Sequence, residues 1–385
     1  MTEVLPLAII GSGIAGLTLA GALTARGRPV KVYEQADRLA RVGAGIQQSP
    51  NAIKVLSELG VGPRLASAAF APAEFVHRTF DTGEITNRIP LGATAEAAYG
   101  APYLLLHRAA LYNALLSTVP PDTVHWGSKL VDCVERGDRV ELRFADGRSE
   151  FVGAVVGADG INSVVRHVLL GPQALRFSGR VGYRATFSAS ALGGHDVEDN
   201  VKWWSADRHM IVYHLNAARD EVYAMGVVPE PDFDVESWSA KGDLGTLRTA
   251  FEGFHPVVQR VIDGLPEVHK WALADRDPLV RWSEGNVVLM GDAAHPMMPH
   301  MGQGAAMAIE DAAVLARCID TVAPGDWSPA FRLFEATRKH RTSQMQVVSA
   351  GNTFARTGRD LVDWVYGYDA WNVPLGDPSE STETR

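Results

Sequence analysis

The chain has 385 residues, 46% of them hydrophobic and 21% charged, enough to bury a large core without disulfides or a structural metal, so a small stapled module is excluded. Thirty-six Lys and Arg against 45 Asp and Glu give a formal charge of −9 with no long basic run, and the phosphate-neutralising footprint of a nucleic-acid binder is missing. Cys133 and Cys318 stand far apart with no His/Cys cluster at zinc spacing, so neither a disulfide framework nor a metal site is expected. The first residues carry no basic region ahead of their short apolar stretch, and no apolar run reaches the ~18 residues of a membrane span. A cytoplasmic protein without membrane or nucleic-acid partners is the expectation.

In chain order, Leu7 to Ile10 is a short apolar run, the pattern of a buried parallel strand. Gly11-Ser12-Gly13-Ile14-Ala15-Gly16 follows, then a helix through Leu17 to Leu23 and a strand over Val30 to Glu34. Helices are predicted for Asn51 to Leu59 and Arg108 to Leu116. Val140 to Phe144 and Phe151 to Val156, separated by Asp146-Gly147, read as a hairpin. From Arg176 to Val228 the texture becomes that of an antiparallel sheet, with strands over Val181 to Phe187, Val201 to Trp204, His209 to His214 and Val222 to Val228. Leu244 to Leu265 reads as helical. Val287 to Met290 is again a buried strand, and helices follow over Gln303 to about Val322 and Pro329 to about Thr353. With no internal repeat and no linker, the second domain reads as inserted into the first.

Three motifs carry chemistry. Gly11, Gly13 and Gly16 fit GxGxxG: the first glycine permits the tight turn, the second lets backbone approach a pyrophosphate, and the third lets helix pack on strand. The helix N-terminus offers free N–H groups to phosphate, and Glu34, at the end of the next strand, can accept from a ribose hydroxyl. This motif alone does not separate NAD from FAD. The second motif is Val155-Val156-Gly157-Ala158-Asp159-Gly160 with Ser163 and Arg166, an apolar strand entering a Gly/Asp turn before a helix, in which Asp159 is expected to bind the cofactor. The third is Gly285 to Pro296, in which Asp292 sits just past a buried strand, where α/β folds place ligand-binding groups. Gly302-Gln303-Gly304 then opens a helix whose N–H groups can face the end of a flavin that gains negative charge on reduction.

In this order, Gly11–Gly16, Gly157–Arg166 and Gly291–Pro296 resemble the three fingerprints of the flavin-dependent aromatic hydroxylases, the single-component family with a p-hydroxybenzoate hydroxylase-like fold. The resemblance spans about residues 5 to 370. It implies an α/β chain: a Rossmann-type FAD-binding domain interleaved with an antiparallel-sheet substrate domain, then C-terminal helices. The expected division is 1–75, 100–176 and 272–325 for FAD, 76–99 and 177–271 for substrate, 326–370 for the helical segment, and 371–385 for a disordered tail. It further implies FAD, NADH or NADPH as co-substrate, O2 and a small aromatic acid, in a monomer or homodimer. By the same resemblance Ala15, Glu34, Gln35, Ala36, Arg108, Leu130, Asp292 and Ala305 fall at flavin-contacting positions. Arg108 also begins a helix and can meet a phosphate. With only one GxGxxG turn, no second Rossmann unit remains for the nicotinamide, which is expected to visit a cleft transiently.

The string Lys202 to Tyr213, with His295 to Met301 and Trp364 to Asp369, is similar to the 6-hydroxynicotinate-hydroxylating branch of that family. That branch replaces a ring carboxylate by hydroxyl, releasing CO2 and forming 2,5-dihydroxypyridine. The similarity places His209, Tyr213 and His300 on pocket positions, with Tyr213, coupled to His209, as the group that relays or accepts a proton. Independently, His209, Ile211 and Tyr213 are two apart and share one strand face, suiting the wall of a polar-aromatic pocket. Gly43 to Asn51 resembles a flavin-lining loop, but Gln47 stands where that branch carries a catalytic histidine, and Asn200 where it can carry cysteine. Glutamine donates and accepts hydrogen bonds but is no base near neutral pH. Salicylate, 4-hydroxybenzoate or an aminobenzoate are therefore the alternative substrates, and a flavin-binding redox module without turnover is the reading from another class.

Overall fold

In a computed structural model, which describes residues 5–38, 44–233, 240–351 and 359–376, the first apolar run forms the strand Leu7–Ile10, buried at all four positions. Such two-sided burial belongs to the centre of a covered parallel sheet. Leu7 lies in parallel register with Val30 on one side and Ala154 on the other. Val287–Leu289 extends this sheet beyond Ala154–Gly157, and Val124–His125 closes the opposite edge. Six strands are thus gathered from distant parts of the chain. The helix Ile14–Thr24 buries every residue from Ile14 to Leu23, the mark of a helix covered all round. The helix Gly304–Asp320 packs against it.

A second sheet has eight strands. Its central members, Arg176–Ser188, Glu221–Pro229, His209–His214 and Asn200–Trp204, run antiparallel, and Glu74–Thr79 joins in parallel with Asn200–Trp204. Side chains alternate between its faces. Val76, Val181, Trp203, Met210 and Val212 pack against Leu247, Phe251, Val258 and Val261 of two helices. The other face presents Phe75, Ile211, Tyr213, Tyr223, Met225 and Trp271 to Tyr103, Met298, Met301 and Tyr366. The candidate site lies against this second face. Among the described residues no helix is long and apolar enough to cross a membrane.

Two predicted elements divide. The apolar run Phe151 to Val156 is shared between Ser149–Val152, which pairs with Arg139–Phe144, and Ala154–Gly157 of the parallel sheet. The break is Gly153, where a Cβ would stand 2.8 Å from the Leu5 carbonyl oxygen. The predicted helix Leu244 to Leu265 becomes Leu244–Ala250 and Pro256–Asp263. Gly253 takes φ +80°, Pro256 opens the second helix, and the His255 side chain accepts from the Val257 N–H. Glu74–Thr79, Ile85–Pro90, Leu130–Arg136 and His269–Asp275 are strands the sequence pattern did not mark. Thr353 and the tail residues 377–385 lie outside the described residues.

Candidate active site

The glycine turn divides its labour. Gly11 takes φ +99°, and a Cβ there would stand 2.5 Å from the Ala158 oxygen; one on Gly16 would stand 2.0 Å from the Gly11 oxygen. Both glycines are required by close packing. A Cβ on Gly13 would meet nothing within 4 Å, because Gly13 opens onto a cavity of about 350 Å³. Gly13 also caps the helix Ile14–Thr24 without any side-chain hydrogen bond, so the first-turn N–H groups stay available to an anion. Ile14 and Ala15 line the same cavity.

The second motif supports this turn. Asp159 accepts from Ser163 Oγ at 2.5 Å and from the N–H groups of Val164 and Val165 at 2.7 and 3.2 Å. Its carboxylate, expected at the cofactor, is instead taken up in capping the helix Val164–Leu170. The neighbouring backbone of Ala158, Gly160 and Ile161 lines the cavity. Buried Arg166 donates to the carbonyls of Ala293 at 3.0 Å and Ile161 at 2.6 Å, tying the second motif to the third.

Asp292 is exposed to the cavity it lines and is surrounded there by protein. Burial therefore raises its carboxyl above the usual range, while His295 and Arg108 pull it back. Arg108 is the first residue of Arg108–Leu116, lines the cavity, and forms no ion pair with a described residue. Gly302, at φ +66°, leads into Gly304–Asp320, whose N-terminus again has no side-chain cap. Gly302, Gly304 and Ala305 line the cavity. The Gln303 side chain is committed elsewhere: its Nε2 donates to Ser49 Oγ at 2.9 Å and its Oε1 accepts from Asn51 at 3.3 Å. Glu34, Gln35, Ala36 and Leu130 are not part of this wall. Glu34 accepts from Ser12 N–H and Ser12 Oγ on one oxygen and from Ala36 N–H on the other, each at 2.9 Å, and the second oxygen keeps a lone pair for a hydroxyl. Gln35 is exposed beside it, and Leu130 is buried.

The substrate sheet closes the cavity. Tyr213 and Ile211 stand opposite Tyr223 and Met225 on the neighbouring strand, and all four line the wall with His300 and Gln47. His209 shares their face but is 1% exposed and does not line the cavity. It packs on the His300 ring, centroids 5.5 Å apart. His209 and Tyr213 are separated by four residues of one strand, roughly 13 Å, so no direct hydrogen bond couples them. The ring partner of Tyr213 is Tyr223, at 4.9 Å.

Protonation follows from burial. The Tyr213 phenol is pushed well above its ordinary range, first by burial and then by Tyr223 and Tyr103, so it is a hydrogen-bond donor at neutral pH. His300 is lowered to about 4 by burial and by the charge of Lys202, against the opposing Ser349 carbonyl. Neutral His300 must carry its proton on Nδ1, which reaches the Ser349 oxygen at 2.9 Å. Its buried Nε2 has no hydrogen-bond partner and is left as an acceptor. Gln47 accepts from the Tyr103 hydroxyl, leaving its NH2 as the free part of the amide.

Below the cavity, Glu310, Asp311 and Arg338 are all 0% exposed. Arg338 meets Glu310 at 2.7 Å and Asp311 at 2.8 Å, and Arg341 meets Glu310 at 2.9 Å. Asp311 also accepts from Gly291 N–H at 3.0 Å and pairs with His295 at 2.6 Å. Glu310 accepts from Asn51 at 2.6 Å. The network thus holds both the Asp292 turn and the loop beside Gln303. Sequence reasoning missed these charges, the wall residues Tyr223, Trp271 and Arg184, and Tyr103 behind Gln47. A clue was Glu310-Asp311 within an otherwise apolar helix, since buried acids need partners.

The family described as FAD binding domain matches residues 1–349. The 6-hydroxynicotinate 3-monooxygenase of Pseudomonas fluorescens is 42% identical over 374 residues, 97% of each chain. The enzyme of that name from Bordetella bronchiseptica is 43% identical over 96% of each. Among solved structures, Klebsiella pneumoniae HpxO complexed with FAD and uric acid superposes with a TM-score of 0.80 at 28% identity, covering 94% of this chain and 92% of that one.

Proposed function

The chain belongs to the FAD binding domain family, as a flavin-dependent aromatic hydroxylase, and we propose that its substrate is 6-hydroxynicotinate, converted with loss of CO2 to 2,5-dihydroxypyridine. The observation that carries this reading is one continuous cavity. It joins the open side of Gly13 and the uncapped helix at Gly304 to a sheet face bearing Tyr213, with His300 on the same wall.

The residues fit FAD. The space beside Gly13 would admit a pyrophosphate, Arg108 would meet its charge, Glu34 would take a ribose hydroxyl and Asp292 a ribityl hydroxyl. When bound, FAD supplies the redox chemistry, taking reducing equivalents from NADH or NADPH and passing them to O2. The chain's own residues then set the ring. Tyr213, a protonated phenol, would donate a hydrogen bond to the ring oxygen and hold charge that develops there. The unpartnered Nε2 of His300 accepts a hydrogen bond from a substrate N–H or O–H. Gln47 holds an oxygen through its free NH2 but cannot take a proton near neutral pH. Phe75, Ile211, Met225 and Trp271 supply apolar wall that excludes water.

Purified holoprotein given NADH and 6-hydroxynicotinate should release CO2 and 2,5-dihydroxypyridine in step with NADH loss. NADH loss that yields only hydrogen peroxide would refute the substrate. Gln47 favours one second reading, a hydroxylated benzoate or aminobenzoate, because it removes a basic side chain from the wall. Product masses from a panel of such acids separate the two.

A further inference from the structure

Lys202 is a charged side chain that the mechanism leaves unused. It stands on Asn200–Trp204, opposite Ile211 of one neighbouring strand and His77 of the other. It therefore belongs to the sheet face that walls the cavity, beside Ile211 of that wall, though it does not itself line the cavity. It is only 4% exposed. No described carboxylate pairs with it; its ammonium lies 4.3 Å over the Trp204 ring.

Its surroundings are rich in nitrogen and poor in negative charge. His77 lies edge-on to Trp204 at 5.3 Å, and His209 contacts Trp204 at 6.3 Å and His300 at 5.5 Å. Arg180 adds positive charge near His209 and His300. Asp275 is the acid that acts on His300, and it is committed to Arg176 at 2.8 Å. The Nε2 atoms of His209 and His300 meet no partner. A buried cation without a counter-ion is costly, and burial draws the Lys202 ammonium down to about 7. The cluster lacks one anion.

Resting on the reading above, we propose that Lys202 is a specificity-determining residue: its ammonium, beside Ile211 on the sheet face that walls the cavity, selects a ring that carries a carboxylate over a neutral ring of the same shape. It acts on substrate charge across the wall, not through a hydrogen bond of its own. A unit charge acting across one layer of side chains changes the binding of an anion by about tenfold or more.

The test compares 6-hydroxynicotinate with 6-hydroxynicotinamide, which differ in that charge, by titrating the flavin absorbance of the holoenzyme. The unaltered enzyme should bind the acid at least about tenfold more tightly than the amide. Lys202→Met should weaken acid binding by about that factor and leave amide binding and flavin content unchanged, a KM effect larger than any on kcat. Lys202→Gln serves the same purpose if the methionine variant does not fold. Equal binding of acid and amide by the unaltered enzyme, or full acid preference in a folded Lys202 variant, overturns the proposal, and the first comparison needs no variant. An acid that binds preferentially but is never hydroxylated would remove the proposed reaction and leave the role of Lys202 standing.

Discussion

Arg338→Met tests the buried charge network beneath the cavity. Arg338 is 0% exposed and meets both Glu310 and Asp311. Methionine fills most of the volume, so the effect read is one of charge. Glu310 keeps Arg341 at 2.9 Å and Asn51 at 2.6 Å. Asp311 loses its one permanently charged partner and keeps only His295 and the Gly291 N–H. Leaving a buried charge uncompensated costs roughly 3–5 kcal/mol, and the surviving Arg341 places this case near the lower bound, at about 3 kcal/mol. Burial tends to raise the Asp311 carboxyl, but His295 and Arg338 outweigh it and hold the group at about 2. A carboxyl so depressed contributes stability above its unfolded value that is lost as pH falls through about 2. Without Arg338 the carboxyl rises and can protonate under mild acid, which relieves the uncompensated charge. Urea denaturation of the two apoproteins at pH 7.5 and 5 should therefore give a gap that narrows at the lower pH. A gap below about 1 kcal/mol at both values, the scale of an exposed pair, would refute the reasoning.

Further outcomes follow from the same geometry. Tyr213→Phe removes the hydroxyl beside the cavity and should lower product formation by about 10²-fold or more, with flavin content retained; unchanged turnover would remove Tyr213 from its role. Gly11→Ala forces a side chain into a left-handed position at φ +99° and against the Ala158 oxygen. It should cost at least about 2 kcal/mol and deplete bound flavin, measured by thermal unfolding and the flavin-to-protein absorbance ratio. His300 is lowered from about 6.5 to about 4 by burial, so the unfolded chain binds its proton first as pH falls. Its neutral burial should cost up to about 3 kcal/mol of stability, lost between pH 6.5 and 4. His300→Gln should remove that share of the acid loss and make the profile less steep, while buried His77, His209 and His214 keep theirs, read by denaturation in the absence of ligand.

Much of the flavin side was legible because its determinants are local. A glycine at a required position leaves a mark on the sequence, and Gly11, Gly13 and Gly16 stand within six residues of one another, even though the contact that requires Gly11 is with distant Ala158. The helix Arg108–Leu116 and the strand His209–His214 emerge with their predicted bounds. The shared face of His209, Ile211 and Tyr213 was likewise a matter of strand period. Gly153 shows the limit: it ends one strand and begins another because the backbone of Leu5 lies against it, a contact that local pattern does not contain.

The sequence by itself determined that this chain is an α/β flavoprotein of the aromatic hydroxylase kind, since short-range motifs in a fixed order carry that information. Only the tertiary structure decided what each polar group does there. Asp159 caps a helix, Gln303 turns to Ser49 and Asn51, and His209 lies behind His300 with no bond to Tyr213. Lys202 stands near the two histidines without a counter-ion. Each of these depends on which distant strand or helix faces the residue, and burial then fixes its protonation. Register and burial arise only when segments far apart in the chain pack together.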